Sequence, residues 1–348
     1  MIASAKDRAP LGLAALGLAL LALALPSAAH VKWFADYAAH PRPVALSQLF
    51  SATGLALLLA AFGVTYCAYL LGRGLHRLPL AKWPTDSESM LRFSEWLIRA
   101  ALVAAVLLCR DHRVILTPEL DYNGPLLSAV QLLVVVGAAI DRPGWILPLG
   151  IVALFAAGCV QYDLVHMLDY TVFLGAAFFV YAARRHAWGK PWLAYGVLYG
   201  ATGFSLCWAG IEKLVYPHWA AQVLAQEPAL ALGFPHELVV PAAAIVEFSV
   251  GFFFATQTLP RLCAAVLTVL MVLTSLLFGE TELVGHLLFH AVLLTFIVVG
   301  RQRPPLLRGH PALRAARFTG AYALALIGLT ACYYLFATAP AAPLPAPA

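Results

Sequence analysis

Charge is what this 348-residue chain has least of. Asp, Glu, Lys and Arg together make up 11% of it, against about 25% in an average soluble domain. Hydrophobic residues make up 62%, more apolar surface than a soluble core of this length could hide. The class left standing is a protein that lives in lipid, where each helical crossing takes roughly 20 consecutive apolar residues. Nucleic acid is thereby removed as a partner, and the net charge of +5 has to be understood from where the basic residues fall. Paired cysteines are absent as well. Cys67, Cys109, Cys159, Cys207, Cys263 and Cys332 stand singly in apolar stretches with no C-x-x-C. This excludes a zinc knuckle or a redox dithiol and leaves small apolar packers. Phosphate-binding glycine loops, G-x-S-x-G and C-x-x-C-H are missing too, which excludes the chemistries they serve.

What is present is a succession of apolar runs. Lys6 and Arg8 precede Leu11 to Leu25 and then Pro26-Ser27-Ala28-Ala29, the pattern of a signal peptide over residues 1–29. An uncleaved anchor is the rival reading. Beyond it, helices are expected near 49–72, 93–109, 124–140, 145–161, 164–183, 192–212, 238–258, 262–279, 283–300 and 318–337. The expected fold class is therefore all-α, a polytopic transmembrane bundle of about ten helices. With residue 30 outside, 14 of the 22 Lys and Arg residues fall on cytoplasmic connections, among them Arg73, Arg184, Arg261 and Arg301. Only Lys32, Arg42, Arg110, Arg113 and Lys213 face outward. This is the asymmetry of an inner-membrane protein of bacterial type, multi-pass, with its bilayer as first partner.

The chain also repeats itself. Gln161-Tyr162-Asp163-Leu164-Val165 lies over Glu280-Thr281-Glu282-Leu283-Val284 at an offset of 119, and Pro125–Ile140 stands roughly where Pro241–Thr256 does. Two parallel four-helix units follow, 93–190 and 191–300. Residues 30–92 form an outer segment, a first helix and a cytoplasmic loop; 301–348 form a basic loop, a last helix and a Pro/Ala-rich tail.

The second unit carries Gly210-Ile211-Glu212-Lys213-Leu214, then Glu247-Phe248-Ser249-Val250-Gly251, then Arg261-Leu262-Cys263-Ala264-Ala265. In that order, at those helix positions, these segments resemble the DoxX family of small four-helix membrane proteins. The first unit looks like a degenerate copy without a Gly-x-Glu-Lys counterpart, with Gln131 as its one polar residue deep in that helix. The family is named for a subunit of a thiosulfate:quinone oxidoreductase. The resemblance thus implies an oxidoreductase subunit beside a redox partner, with Glu212 and Lys213 binding the cofactor.

Ionisable residues inside apolar runs are costly and seldom idle. Glu247 lies about ten residues into a helix and must be protonated, paired or hydrated; Lys213, His290 and Arg99 are its candidate partners. Lys213 is expected nearer the surface. Glu282, His286 and His290 follow at i, i+4 and i+8, one face of one helix. Asp163, His166 and Tyr170 at i, i+3 and i+7, with Asp169, supply a matching group from the first unit. Glu282, His286, His166 and Asp163 could ligate copper, iron or zinc, or could simply satisfy one another. A cut after Ala29 would start the chain at His30, whose α-amine and imidazole together suit Cu(II). Two functions are therefore expected. The leading one is a periplasm-facing, quinone-linked redox subunit in which Glu247 and His290 handle protons. The alternative is a transition-metal-binding membrane protein without turnover. Residues 213–237, with His218 and His236, are expected as a solvated loop or lid.

Overall fold

The computed structural model describes residues 31–35, 43–75, 87–122, 124–140, 144–185, 191–302 and 310–337. The expected signal peptide and His30 lie outside the described residues, as do residues 76–86, expected as a cytoplasmic loop, and the tail from 338. What is described is helical, with no strand pairing among these residues beyond one isolated bridge between Val114 and Asp121.

Each of the ten expected helices is present. They are α1 (Ala52–Leu75), α2 (Ser87–Asp111), α3 (Pro125–Ala139), α4 (Ile146–Tyr162) and α5 (Thr171–Arg185), the last entered through a short turn, Leu164–Met167, and a 3-10 turn, Leu168–Tyr170. Then come α6 (Pro191–Val215), an additional helix α7 (Pro217–Gln226), α8 (His236–Ala255), α9 (Pro260–Phe278), α10 (Glu280–Val299) and α11 (Pro311–Ala337). Six segments among the described residues are long and apolar enough to cross a membrane: Ala52–Gly72, Leu164–Arg184, His236–Ala255, Pro260–Phe278, Glu280–Val299 and Pro311–Phe336. Helices α3 and α4 are equally apolar but only 15 and 17 residues long. Helix α2 exceeds 20 residues but carries Glu88, Arg92, Glu95 and Arg99 along its first half.

Prolines open α3, α6, α7, α9 and α11 at positions where a missing N–H is harmless. Three of the helix junctions are single-residue breaks, one at Tyr216 between α6 and α7 and two at positive φ. Asp163 (φ +79°) separates Tyr162 from Leu164, and Gly279 (φ +69°) separates Phe278 from Glu280. These breaks are 116 positions apart, so the gap-free overlay at 119 is three residues out of register with the turns it was meant to align. The overlay matched polar residues, whereas the chain places its turns by backbone geometry.

The helices of the two halves exchange neighbours. Helix α5 packs on α6, and α10 packs on α2, so the last helix of each half lies against the first helix of the other. Within the second half, α6 and α8 approach most closely at Gly203 and Gly251. A Cβ on Gly203 would lie 2.4 Å from the Gly251 carbonyl oxygen, and one on Gly251 2.5 Å from the Gly203 oxygen. Only glycine permits that backbone contact, the device by which helices pack tightly where burial alone gives little drive. Helices α1 and α11 cover the outside of α8 and α6.

Candidate functional site

One end of the bundle, where α2, α4, α6 and α9 finish, is closed by three inserted pieces of chain. The first is the loop 112–122. Its Ile115, Leu116 and Leu120 are fully buried. Gln131 ties it down, donating Nε2 to the carbonyls of Val114 (2.7 Å) and Ile115 (3.1 Å) while accepting from the Tyr122 hydroxyl at 2.9 Å. Tyr162 and Gln161 both donate to the Asp121 carbonyl. Gln131, the polar residue deep in α3, thus anchors a loop.

That loop delivers Glu119 into the protein. Tyr170 donates a hydrogen bond to its carboxylate, and His166 Nε2 lies 3.5 Å away. Burial pushes the Glu119 carboxyl up to about 7, with the Glu212 charge adding to the rise and its own backbone N–H, Lys32 and Thr117 opposing it.

The second inserted piece is the strap 31–35, opened by the 3-10 turn Val31–Trp33. Lys32 is 3% exposed. Its ammonium pairs with Asp169 at 2.6 Å and also with Glu212, whose carboxylate takes the Tyr333 hydroxyl at 2.9 Å. Trp33 packs against the His286 ring, centroids 4.5 Å apart, and Phe34 stacks on Phe278.

The third piece is residues 216–235, expected as a solvated loop. They form α7 and a 3-10 turn instead, with Trp219, Val223, Leu224, Leu230 and Ala231 building a small core against Val239 and Val240. Val31 of the strap sits in that core. Six of the ten residues of α7 are apolar, and they fold because they have a face to bury. Partial burial lowers the His218 imidazole below its usual range, with Glu212 opposing that shift.

Beneath the three pieces lie two further buried pairs. Lys213 bonds Glu247 at 2.5 Å and is 2% exposed. Its expected place near the surface is corrected, because α7 and the strap bury the end of α6. Glu282 accepts from Thr274 at 2.7 Å and lies 3.1 Å from His286 Nδ1. A cavity of about 50 Å³ lies between the pairs. Asp169, Glu247, His286 and Trp33 line one part of it, and apolar side chains such as Leu206, Leu270 and Phe289 line the rest.

The expected site residues are thus only partly assembled. Glu247 and His286 face one cavity, with their partners Lys213 and Glu282 behind them. His290, expected beside Glu247 as a proton carrier, is half-buried, lines no part of this cavity and has no hydrogen-bond partner among the described residues. Two turns separate it from Glu282, and over those turns it is Gly285, His286 and Phe289 that line the cavity. Asp163 is exposed, and its carboxylate accepts from the His166 N–H at 2.9 Å to cap the turn that follows. His166 turns to Glu119, and His286 to Glu282. The metal set of Asp163, His166, Glu282 and His286 is therefore not brought together, and among the described residues no three His, Cys, Asp or Glu side chains converge as a metal site. Glu212, expected at a cofactor, holds Lys32.

Lys32, Glu119 and Tyr333 have no part in the expected set, although they complete the cluster. Lys32 and Tyr333 come from outside the two expected four-helix units and Glu119 from a loop within the first, and the segments of Lys32 and Glu119 have a polarity that looks like ordinary solvation. Comparison with family models, with curated proteins and with solved structures finds no match to this chain.

Proposed function

We propose that this is a multi-pass protein of a bacterial inner membrane that serves as the membrane subunit of a quinone-linked redox system. The observation carrying this reading is the cavity, which sets titratable side chains against an apolar wall. Six apolar helices of membrane-spanning length support the bilayer part. The DoxX-like segments around Lys213 and Glu247 support the redox part, since those two residues form the pair behind the cavity. We read residues 93–190 and 191–300 as two related four-helix units, a reading supported by the matching single-residue breaks at Asp163 and Gly279.

Quinone is the substrate in this reading. Its reduction takes two electrons, supplied by a partner redox subunit, and two protons. Glu247, a carboxylate paired with the Lys213 ammonium at rest, takes up a proton, passes it to one ring oxygen and returns to the carboxylate that the ammonium compensates. His286, backed by Glu282, donates at the second. At about 50 Å³ the cavity takes a few waters with all side chains in place. A ring needs one wall to give, and Trp33, on its strap, is a wall not fixed to a long helix.

The test separates folding from function. Glu247→Gln alone leaves a buried ammonium without its partner, which typically costs about 3–5 kcal/mol. Glu247→Gln with Lys213→Met removes both charges. We expect the single variant to be strongly destabilised and the double variant to recover most thermal stability. The double variant should still lose at least tenfold in quinone reduction by membranes given the donor system. Wild-type quinone reduction by the well-folded double variant, or by a deletion strain, would sink the reading.

A further inference from the structure

The pocket around the Lys32 ammonium is built without help from the segment that fills it. Asp169 stands in the turn before α5, Glu212 near the end of α6 and Tyr333 near the end of α11. Nζ lies 2.6 Å from Asp169 Oδ2 and contacts Glu212 Oε2, the same oxygen to which Tyr333 donates at 2.9 Å. The side chains of Lys32, Asp169 and Glu212 are 1%, 0% and 3% exposed. Two buried carboxylates set around one point need a cation there, because uncompensated buried charges are strongly destabilising.

The rest of the strap has prepared seats as well. Gly285 gives Trp33 its place, since a Cβ there would lie 2.0 Å from the indole. Phe34 stacks on Phe278 with ring centroids 4.3 Å apart, and Val31 enters the small core of α7 and α8. Trp33 and Asp169 both line the cavity, so the cavity and the ammonium pocket share a boundary.

We propose that Asp169, Glu212 and Tyr333 form a primary-ammonium site, and that Lys32 occupies it as the latch of a strap, residues 31–35, covering the cavity. The site selects a primary ammonium because its acceptors take N–H donors, which a quaternary ammonium of equal charge does not have. When the tethered ammonium is shortened away, a free alkylammonium ion takes its place. This assignment goes beyond the quinone reading and stands or falls without it, since neither of its tests uses quinone or an electron donor.

The first test is chemical rescue of full-length Lys32→Ala in mild detergent. Its unfolding temperature should fall by roughly 5 °C or more. Ethylammonium chloride should restore a large part of that loss, and tetramethylammonium chloride at the same ionic strength should not. Neither salt should raise wild type or Lys32→Ala/Asp169→Asn to the same extent. Equal effects of the two salts on Lys32→Ala overturn the site. Should Lys32→Ala not survive purification, the strap is followed in membranes with Phe34→Cys/Phe278→Cys. That pair should form a disulfide under mild oxidation, at a yield several-fold lower once Asp169→Asn/Glu212→Gln is added. No cross-link with the latch intact, or an undiminished one without its carboxylates, overturns the proposal.

Discussion

Glu119 shows how a single side chain acquires unusual behaviour from the segment that carries it. On an open loop it would be a solvated carboxylate; tucked in with Ile115, Leu116 and Leu120 it loses its water. Tyr170, His166, Lys32, Glu212 and Thr117 surround it, the first three on the strap and the turns before α5. Its carboxyl rises from 4.5 to about 7, so the native state binds the proton more tightly than the unfolded chain does. The stabilising contribution is then complete below about pH 4.5 and is lost as pH rises through 7, by a total of about 3 kcal/mol. Glu119→Gln stays neutral throughout. Thermal unfolding of both proteins in detergent between pH 5 and 8 should therefore show wild type losing ground to Glu119→Gln as pH increases. Parallel curves would mean that Glu119 is ionised and compensated in the fold. Legibility at this scale was uneven. Spacing i, i+4 exposed the Glu282–His286 pair, because both residues share one helix. Lys32 and Asp169 are 137 positions apart, and no local pattern records such a contact.

At the scale of elements, helices were readable and their closures were not. Apolar runs bounded by Pro and Gly marked the ten long helices to within a few residues, except the starts of α2 and α11, where charged residues extend the helix beyond the apolar run, and the start of α5, where the run from Leu164 first makes two short turns. Helix α7 escaped notice because its amphipathic ten residues are polar enough to look like a loop. The breaks at Asp163 and Gly279 differ in residue type, so a residue-by-residue overlay slides past them. Glycine inside a helix is ordinarily a weakness of up to about 1 kcal/mol, yet in α6 and α8 it has two meanings. Nothing lies within 4 Å of a Cβ built on Gly200, whereas one on Gly251 meets the Gly203 oxygen and the Cys207 N–H, at 2.5 and 2.8 Å. Gly200→Ala should leave the unfolding temperature unchanged or slightly raised. Gly251→Ala should lower it by several degrees, since overpacking of this kind costs about 1–3 kcal/mol. Equal tolerance at the two positions would show that α6 and α8 are farther apart than described.

For the whole molecule, sequence and structure agree on a polarity between the two ends of the bundle. Asp121, Asp163, Glu227, Glu237 and Glu280 all lie at the end where α4 and α9 finish, and the three inserted pieces close that end. Arg184, Arg261 and Arg301 lie at the other, where α5 and α10 finish, and Arg261 there donates to the carbonyls of Ile297 and Val298. Such a separation has a direction in a cell: basic ends stay in the cytoplasm. In the redox reading we propose, the carboxylate-rich end, with its strap and cavity, faces outward, where a periplasmic electron donor would meet the protein. Gln161 and His310 are exposed and mark the two ends. In spheroplasts, a membrane-impermeant maleimide should label Gln161→Cys above the background of the six native cysteines. His310→Cys should react only after lysis. The reverse pattern would place the cavity on the cytoplasmic side and remove the periplasmic donor from the redox reading, while leaving the ammonium latch, which depends on no sidedness, as it stands.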